Sequence, residues 1–401
     1  MKVLQINSVC GIGSTGRIAT DIHDILIEKG HDSYIAYGRG KVNKNKNIIK
    51  IGNKLDIFLH VILTRLFDKH GFGSKKATKL FLEKVKKLDP DIIHLHNIHG
   101  YFINIELLFD YIKKYNKTVV WTLHDCWSFT GHCTHFEYAA CECWRLDTQI
   151  KCIQKNKYPT SWIINNSINN FNRKKSIFNN VESLTLITPS YWLKKIVKQS
   201  QLRDYPIQVI NNGIDTDIFK PRSNNFRISY RLEEKFVILG VASVWNKSKG
   251  IDYFINLSNK LNDNEVIVLV GLTETQIREM PKNIIGISKL NNIEKLAEIY
   301  SSANVFFNPT LEDTYPTTNL EAISCGTPVV TFNTGGSPES VDTNMGSIVS
   351  STNIDEILNT IRKYYNTSWE KSKEMHEMSL KKFNKNLNFD NYIELYQSLL
   401  H

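Results

Sequence analysis

The sequence predicts an α/β protein made of two Rossmann-like, doubly wound domains, and three observations predict it. The chain opens with an apolar strand, a glycine-rich loop and an amphipathic helix over Lys2–Lys29, the first unit of a nucleotide-binding half. Strand, loop and helix start again at Phe236–Gly250, and apolar runs alternate with helical spacing on both sides of that restart. At 401 residues the chain is long enough for two cores, because single cores stop growing beyond about 250–300 residues.

Composition fits that class. With 41% hydrophobic and 22% charged residues the chain is neither disordered nor fibrous. No apolar run approaches a membrane span, and the opening MKVLQINSV reads as a strand, not a signal peptide, so a cytoplasmic location is expected. The net charge of +10 favours anionic partners such as nucleotide phosphates or an acidic membrane surface. No nucleic-acid-binding module is present, and low complexity is confined to the Asn/Lys loop Val42–Asn47.

In order, Lys2–Asn7 is the first strand, and Gly16–Lys29 is a helix with Ile18, Ile22, Ile25 and Leu26 on one face, stopped by Gly30. The loop between them, Gly11-Ile12-Gly13-Ser14-Thr15-Gly16, fits G-x-G-x-x-G, whose backbone can approach phosphates. The next strand, Ser33–Tyr37, ends in Gly38-Arg39 with no acid for a ribose, so the NAD signature fails. Arg39 could instead meet a 2′-phosphate, which keeps an NADP oxidoreductase as an alternative. Leu55–Leu88 predicts two amphipathic helices parted by Gly71-Phe72-Gly73, either packed on the sheet or docked on anionic lipid. Asp91–His96 is a buried strand that puts His94 and His96 on one side, with no carboxylate nearby to complete a metal site there. Val119–Asp125 delivers His124 and Asp125 to the edge where open α/β sheets bind ligands.

Five of the seven cysteines then fall between Cys126 and Cys152. In a reducing cytoplasm they should remain thiols. Cys133, Cys141, Cys143 and Cys152 could hold a structural zinc but lack the usual Cys-x-x-Cys pairs, and the alternative is a loop insertion with free thiols. Strand Leu184–Ser190 and helix Tyr191–Lys198 finish the first domain, with a hinge at Tyr205-Pro206. The expected domains are therefore 1–205 and 206–382, with 383–401, carrying Phe389, Tyr392 and Tyr396, packing back on the first. Gly213 is expected at a turn of positive φ.

In the second domain, strand Phe236–Ser243 leads to a loop whose Lys247 and Lys249 precede a helix. Strands Glu265–Gly271 and Ile284–Ile287 follow, then Lys289-Leu290 and a helix with Ile293, Leu296 and Ile299 on one face. The most specific stretch is Asn308–Glu339, NPTLEDTYPTTNLEAISCGTPVVTFNTGGSPE. Its helix opens near Thr318 and stops at Gly326, ahead of strand Val329–Phe332. Asp313 lies on the loop and Glu321 in the first helical turn, with the free amides of Thr317, Thr318 and Asn319 between them. That is a pocket for an anion flanked by acceptors for hydroxyls. Thr318 and Glu321 also fit a capping box, which would need no chemistry.

This stretch resembles the family 4 glycosyltransferases, whose hallmark is Glu, seven residues, Glu, then small-Gly-x-Pro-Val-Val and Gly-Gly-x-x-Glu. Asp313 stands where that family has its first Glu, with Glu312 beside it as the other candidate. The resemblance runs along essentially the whole chain and implies the GT-B architecture, two Rossmann-like domains facing across a cleft. It implies retaining, metal-independent transfer from a nucleotide diphosphate sugar to a saccharide acceptor, with no cofactor required. Carried over residue by residue, it gives Lys249, with Lys247 replacing an absent Arg, to the diphosphate, and Lys289 and Leu290 to the base. His124 and Asp313 go to the donor sugar, Glu321 to the ribose, and Gly13, Ser14, Thr15 and Gly16 to phosphates or acceptor. The HLHNIHG segment ties it to the capsule and exopolysaccharide branch, with a lipid-linked acceptor at the inner face of the plasma membrane. A non-catalytic sugar-nucleotide-binding protein is the second alternative.

Overall fold

The structure, a computed structural model, describes residues 1–40, 47–145, 150–290 and 292–400. Residues 42–46 of the Asn/Lys loop lie outside the described residues, as do 146–149 of the cysteine-rich stretch. The chain divides into two compact units, Met1–Asn211 with Phe389–His401, and Asn212–Asn388.

The first unit holds strands β1 (Lys2–Val9), β2 (Asp32–Arg39), β3 (Ile48–Lys50), β4 (Ile92–Leu95), β5 (Thr118–Thr122), β6 (Leu184–Thr188) and β7 (Ile207–Val209). They form one parallel sheet in the order β3-β2-β1-β4-β5-β6-β7. Alternate residues of a strand serve opposite faces. Val3, Ile92 and Val120 pack with Ile18, Ile22 and Leu26 of the helix Gly13–Glu28 and with Phe389, Tyr392 and Tyr396. Leu4, Ile93, Val119 and Trp121 pack on the other face with Phe109 and Phe178. Helices on both faces explain why the inner strands are apolar almost throughout.

The second unit repeats the plan with β8 (Phe236–Val241), β9 (Glu265–Leu272), β10 (Ile284–Ser288), β11 (Val305–Asn308), β12 (Val329–Phe332) and β13 (Gly346–Val349). Its parallel order is β10-β9-β8-β11-β12-β13. Each sheet therefore has a switch point, β1 against β4 and β8 against β11, where chain order reverses and the following loops diverge to leave a crevice.

The first unit runs past Tyr205-Pro206, because Ile207–Val209 pairs with β6 as the seventh strand. The other boundary also differs from the expected 383: Phe383 is buried in the second unit's core, its carbonyl accepts from the Ile214 N–H, and the Lys385 N–H donates to the Ile214 carbonyl. Of the helix Lys385–Leu400, only Phe389 onward belongs to the first unit. Gly213 has no positive φ. A Cβ there would lie 2.5 Å from Lys385 Cα, so the glycine is needed for that close backbone approach.

Candidate active site

At the second unit's switch point, the loops after β8 and β11 are tied together. Asn246 caps the short turn Lys247–Lys249 by accepting from the Lys249 N–H, and Gly250 follows at φ +75°. A Cβ on Gly250 would come within 2.3 Å of the Pro309 carbonyl oxygen. The Leu311 N–H donates to the Ser248 carbonyl at 2.8 Å. This clamp sets Lys249 Nζ 2.7 Å from Asp313 Oδ2 and 3.5 Å from Thr310 Oγ1. Both charged side chains keep solvent contact, 36% for Lys249 and 21% for Asp313. Such an ion pair is worth under about 1 kcal/mol of stability, so its positioning matters more than its contribution to folding.

The Gly-Gly turn holds Asp313 from behind. Gly335 has φ +56°, a Cβ on it would meet the Asp313 carbonyl oxygen at 2.0 Å, and the Gly336 N–H donates to that oxygen at 3.0 Å. Glu312, the other candidate, has a buried Oε2 with no hydrogen-bond partner among the described residues.

The helix spans Thr317–Ser324, with Pro316 as its N-cap at φ −70°. The helix therefore starts one residue earlier than expected, so Glu321 lies beyond the first turn and the Thr318–Glu321 capping box does not form. Glu321 is buried instead, and its Oε2 accepts from the Tyr300 hydroxyl at 3.1 Å. The Asn319 N–H donates to the Pro316 carbonyl at 3.2 Å and is not free. Its side chain is structural, accepting from Asn308 and donating to Ser337 and Ser340. The helix end thus offers the amides of Thr317 and Thr318. Lys247 and Lys289 are exposed, and Leu290 packs on the core.

In the first unit, the helix after β1 begins at Gly13, not Gly16, so Gly13, Ser14 and Thr15 form its first turn and their amides have no intrahelical partner. Gly11 and Gly13 take φ +69° and +67°. Gly16 closes the loop, its carbonyl accepting from the Gly11 N–H at 3.1 Å. Arg39 lies over the Tyr101 ring, 5.8 Å from its centre.

His124, just past β5, lies nearly coplanar with His96, the rings 13° apart, with its Nε2 3.0 Å from His96 Nδ1. The tautomers follow from the far end of the chain of bonds. Gln5 Nε2 donates to the Ala19 carbonyl, so Gln5 Oε1 accepts from His96 Nε2–H at 3.0 Å. His96 Nδ1 is then an acceptor, and His124 Nε2 carries the proton that meets it. Burial pulls the His124 imidazole down to about 4, with the Asp125 charge opposing, and burial pulls His96 well below its ordinary value. His124 is thus a neutral imidazole with Nδ1 as its acceptor nitrogen. Asp125 Oδ2 lies 2.7 Å from His99 Nε2; burial works against its charge, but His99 and the Trp127 N–H hold the carboxyl down to about 2. A small recess is lined by His96, His99, His124, Asp125 and Trp127. His94 turns elsewhere, to the Tyr396 hydroxyl and Thr122.

The sequence reading did not assign His96 or Gln5 to the support of His124. The available signal was the polar Gln5 inside an otherwise apolar strand, fully buried in the fold. Thr310 and Tyr300 were also missed, because only tertiary folding brings them to Lys249 and Glu321.

Residues 15–218 match the model described as Glycosyltransferase Family 4, and residues 235–367 match Glycosyl transferases group 1. Among curated relatives, the putative colanic acid biosynthesis glycosyl transferase WcaC of Escherichia coli K12 is 29% identical over 229 residues, 54% of this chain and 55% of its own length. The alpha-maltose-1-phosphate synthase of Mycobacterium tuberculosis is 27% identical over 38% of this chain and 46% of its own. The alpha-galactosylglucosyldiacylglycerol synthase of Streptococcus pneumoniae R6 is 26% identical over 39% and 45%. The chain thus spans about half the length of the curated relatives it matches. Among solved structures, sucrose-phosphate synthase from Thermosynechococcus elongatus superposes with a TM-score of 0.72 at 15% identity, covering 99% of this chain and 98% of that one. HepE of Anabaena in complex with UDP-glucose gives 0.66 at 13% identity, covering 99% and 100%. At such identities the likeness shows the fold, which is GT-B. The match to glycosyltransferase models over both halves replaces the NADP oxidoreductase alternative. With the first model alone covering half of its residues, this chain belongs to the family 4 glycosyltransferases.

Proposed function

We propose that this chain is a retaining, metal-independent glycosyltransferase. It moves a sugar from a nucleotide diphosphate sugar to a saccharide acceptor carried on a lipid, in surface-polysaccharide assembly at the inner face of the plasma membrane. The observation that carries the reading is the Lys249–Asp313 pair, clamped at the β8/β11 switch point on the loop that leads into the helix Thr317–Ser324.

As the anomeric C–O bond breaks, negative charge grows on the departing diphosphate. Lys249, Lys247 and the helix end stabilise it, in the role a divalent cation plays in other transferases. Asp313 accepts from the sugar hydroxyls and is favoured over Glu312 because its carboxylate meets Lys249. Glu321 accepts from the ribose, with Tyr300 setting its orientation, and the backbone at Lys289 and Leu290 holds the base. Gly13–Gly16 gives amides to phosphate or acceptor, and His124 contacts the donor sugar. The acceptor oxygen bonds to the anomeric carbon on the face the phosphate leaves, and its proton passes to the departing phosphate oxygen. Retention is supported by the alpha products that two relatives carry in their names.

A lipid-linked acceptor is supported by the diacylglycerol in one relative's name and by an exposed apolar face. On the helix Lys54–Phe67, Leu55, Phe58 and Leu59 are exposed, and so are Trp162 and Ile163 in the segment bonded to it through Arg65. No helix of the described residues is long and apolar enough to cross a membrane, so contact with lipid would be at the surface.

The test incubates the protein with anionic vesicles carrying lipid-linked saccharides and UDP-, GDP-, CDP- and ADP-sugars, and follows nucleoside diphosphate release. One donor class should turn over, with an α-linked product and no stimulation by Mg²⁺ or Mn²⁺. Inversion or metal dependence would overturn the mechanism. Donor binding without transfer to any acceptor would favour the non-catalytic reading.

A further inference from the structure

Between Thr130 and Asn166 the first unit has no helix or strand among the described residues. Irregular stretches of that length are uncommon unless something else holds them. Side chains do so here. Cys133, Cys143 and Cys152 converge with their sulfur atoms all within 4.8 Å of one another, and the Cys141 thiol hydrogen-bonds those of Cys143 and Cys152. All four are buried and unbridged. Around them, Phe136 stacks on Trp144, the Cys152 N–H donates to Ser167 Oγ, and a Cβ on Gly131 would meet the Ser167 carbonyl oxygen at 2.0 Å.

We propose that Cys133, Cys141, Cys143 and Cys152 bind one Zn²⁺ as a tetrahedral, all-thiolate structural site that staples this segment to the first unit. Zn–S bonds of about 2.3 Å in a tetrahedron place sulfur atoms about 3.8 Å apart, a small contraction for Cys133, Cys143 and Cys152, onto which Cys141 would close as the fourth ligand. Four soft thiolates in a closed, buried site select zinc or an iron–sulfur cluster over hard cations. The site would carry two net negative charges, and a buried lysine stands beside it. Lys174 is buried, donates to the Trp127 and Thr130 carbonyls, and interacts electrostatically with Cys133 and Cys143. Metal binding releases the thiol protons and couples the metal to folding. The spacing, seven residues, one, then eight, hides the site from a search for Cys-x-x-Cys pairs.

The experiment measures metal in the purified full-length chain by elemental analysis and zinc-edge X-ray absorption. The expected result is one zinc per chain with four sulfur neighbours. Cys143→Ser and Cys152→Ser should each lose the zinc, while Cys325→Ser, at a buried thiol in the second unit, should keep it. If the serine variants fail to fold, titrating the wild type with an organomercurial in the presence of a zinc indicator should release zinc in step with thiol modification. A zinc-free folded chain whose four thiols titrate freely, disulfides among these cysteines, or iron with inorganic sulfide would each overturn the assignment.

Discussion

Asp313 and Lys249 reach each other from loops 64 residues apart in sequence, and the position of that carboxylate carries the proposed chemistry. Asp313→Asn keeps the shape but removes the charge that orders the lysine and the sugar hydroxyls. It is expected to lower kcat/KM by about 10²–10³-fold, the scale of losing one preorganised electrostatic contact, while changing the thermal midpoint little, because both side chains of the pair keep solvent contact. Glu312→Gln should lose far less. A larger loss at Glu312 in the same steady-state assay would move the acidic role to that residue. Much of this site was legible as residue types in order: the acids, the lysines and His124 all stand out in the text. The partners were not, because Tyr300 beside Glu321 and Gln5 behind His96 are set by tertiary packing and leave no local pattern.

Among the elements, the Gly-Gly turn has a role that substitution can test. Gly335 combines positive φ with a carbonyl oxygen where a Cβ would go, and that oxygen belongs to Asp313. Gly335→Ala should therefore cost about 1–3 kcal/mol in urea denaturation, and activity should fall further than stability because the Asp313 backbone must shift. Equal effects on both would make the turn merely structural. Strand and helix identities followed from apolar runs and from 3.6-residue spacing. The short edge strands Ile48–Lys50, Ile207–Val209 and Gly346–Val349 were not legible, because three or four residues carry too little periodicity. The helix starts at Thr317 with Pro316 as its N-cap and Glu321 bonded to Tyr300, so the Thr-x-x-Glu pattern did not mark its start.

At the scale of the whole molecule, the first unit buries an unusual set of neutral histidines. Burial brings His60 and His124 down to about 4 and holds His70, His94 and His96 well below their ordinary values. Each is depressed in the folded chain relative to about 6.5 unfolded, so its contribution is fully present above pH 6.5 and is lost as pH falls toward and through its folded value, about 4 for His60 and His124. Stability should decline on acidification by up to about 1.4 kcal/mol per pH unit for each such histidine. Urea midpoints taken from pH 7.5 to 5 should fall steadily, and a flat profile would show these rings to be protonated or open. The two-unit plan was legible from the restart at Phe236, but the exact boundaries were not, since the seventh strand and the Gly213–Lys385 contact depend on pairing across long sequence distances. The central claim, that the second unit binds a nucleotide diphosphate sugar at Lys249, Asp313 and Glu321, is tested most directly by a thermal-shift panel. It would use UDP, GDP, CDP and ADP with their sugar conjugates, on wild type and Glu321→Ala. A ligand at a hundred times its dissociation constant stabilises a fold by about 2.7 kcal/mol, so the predicted result is a clear rise with one nucleoside diphosphate class that disappears in the variant. An equal rise in wild type and Glu321→Ala, or no rise with any nucleotide at saturating concentration, would contradict it.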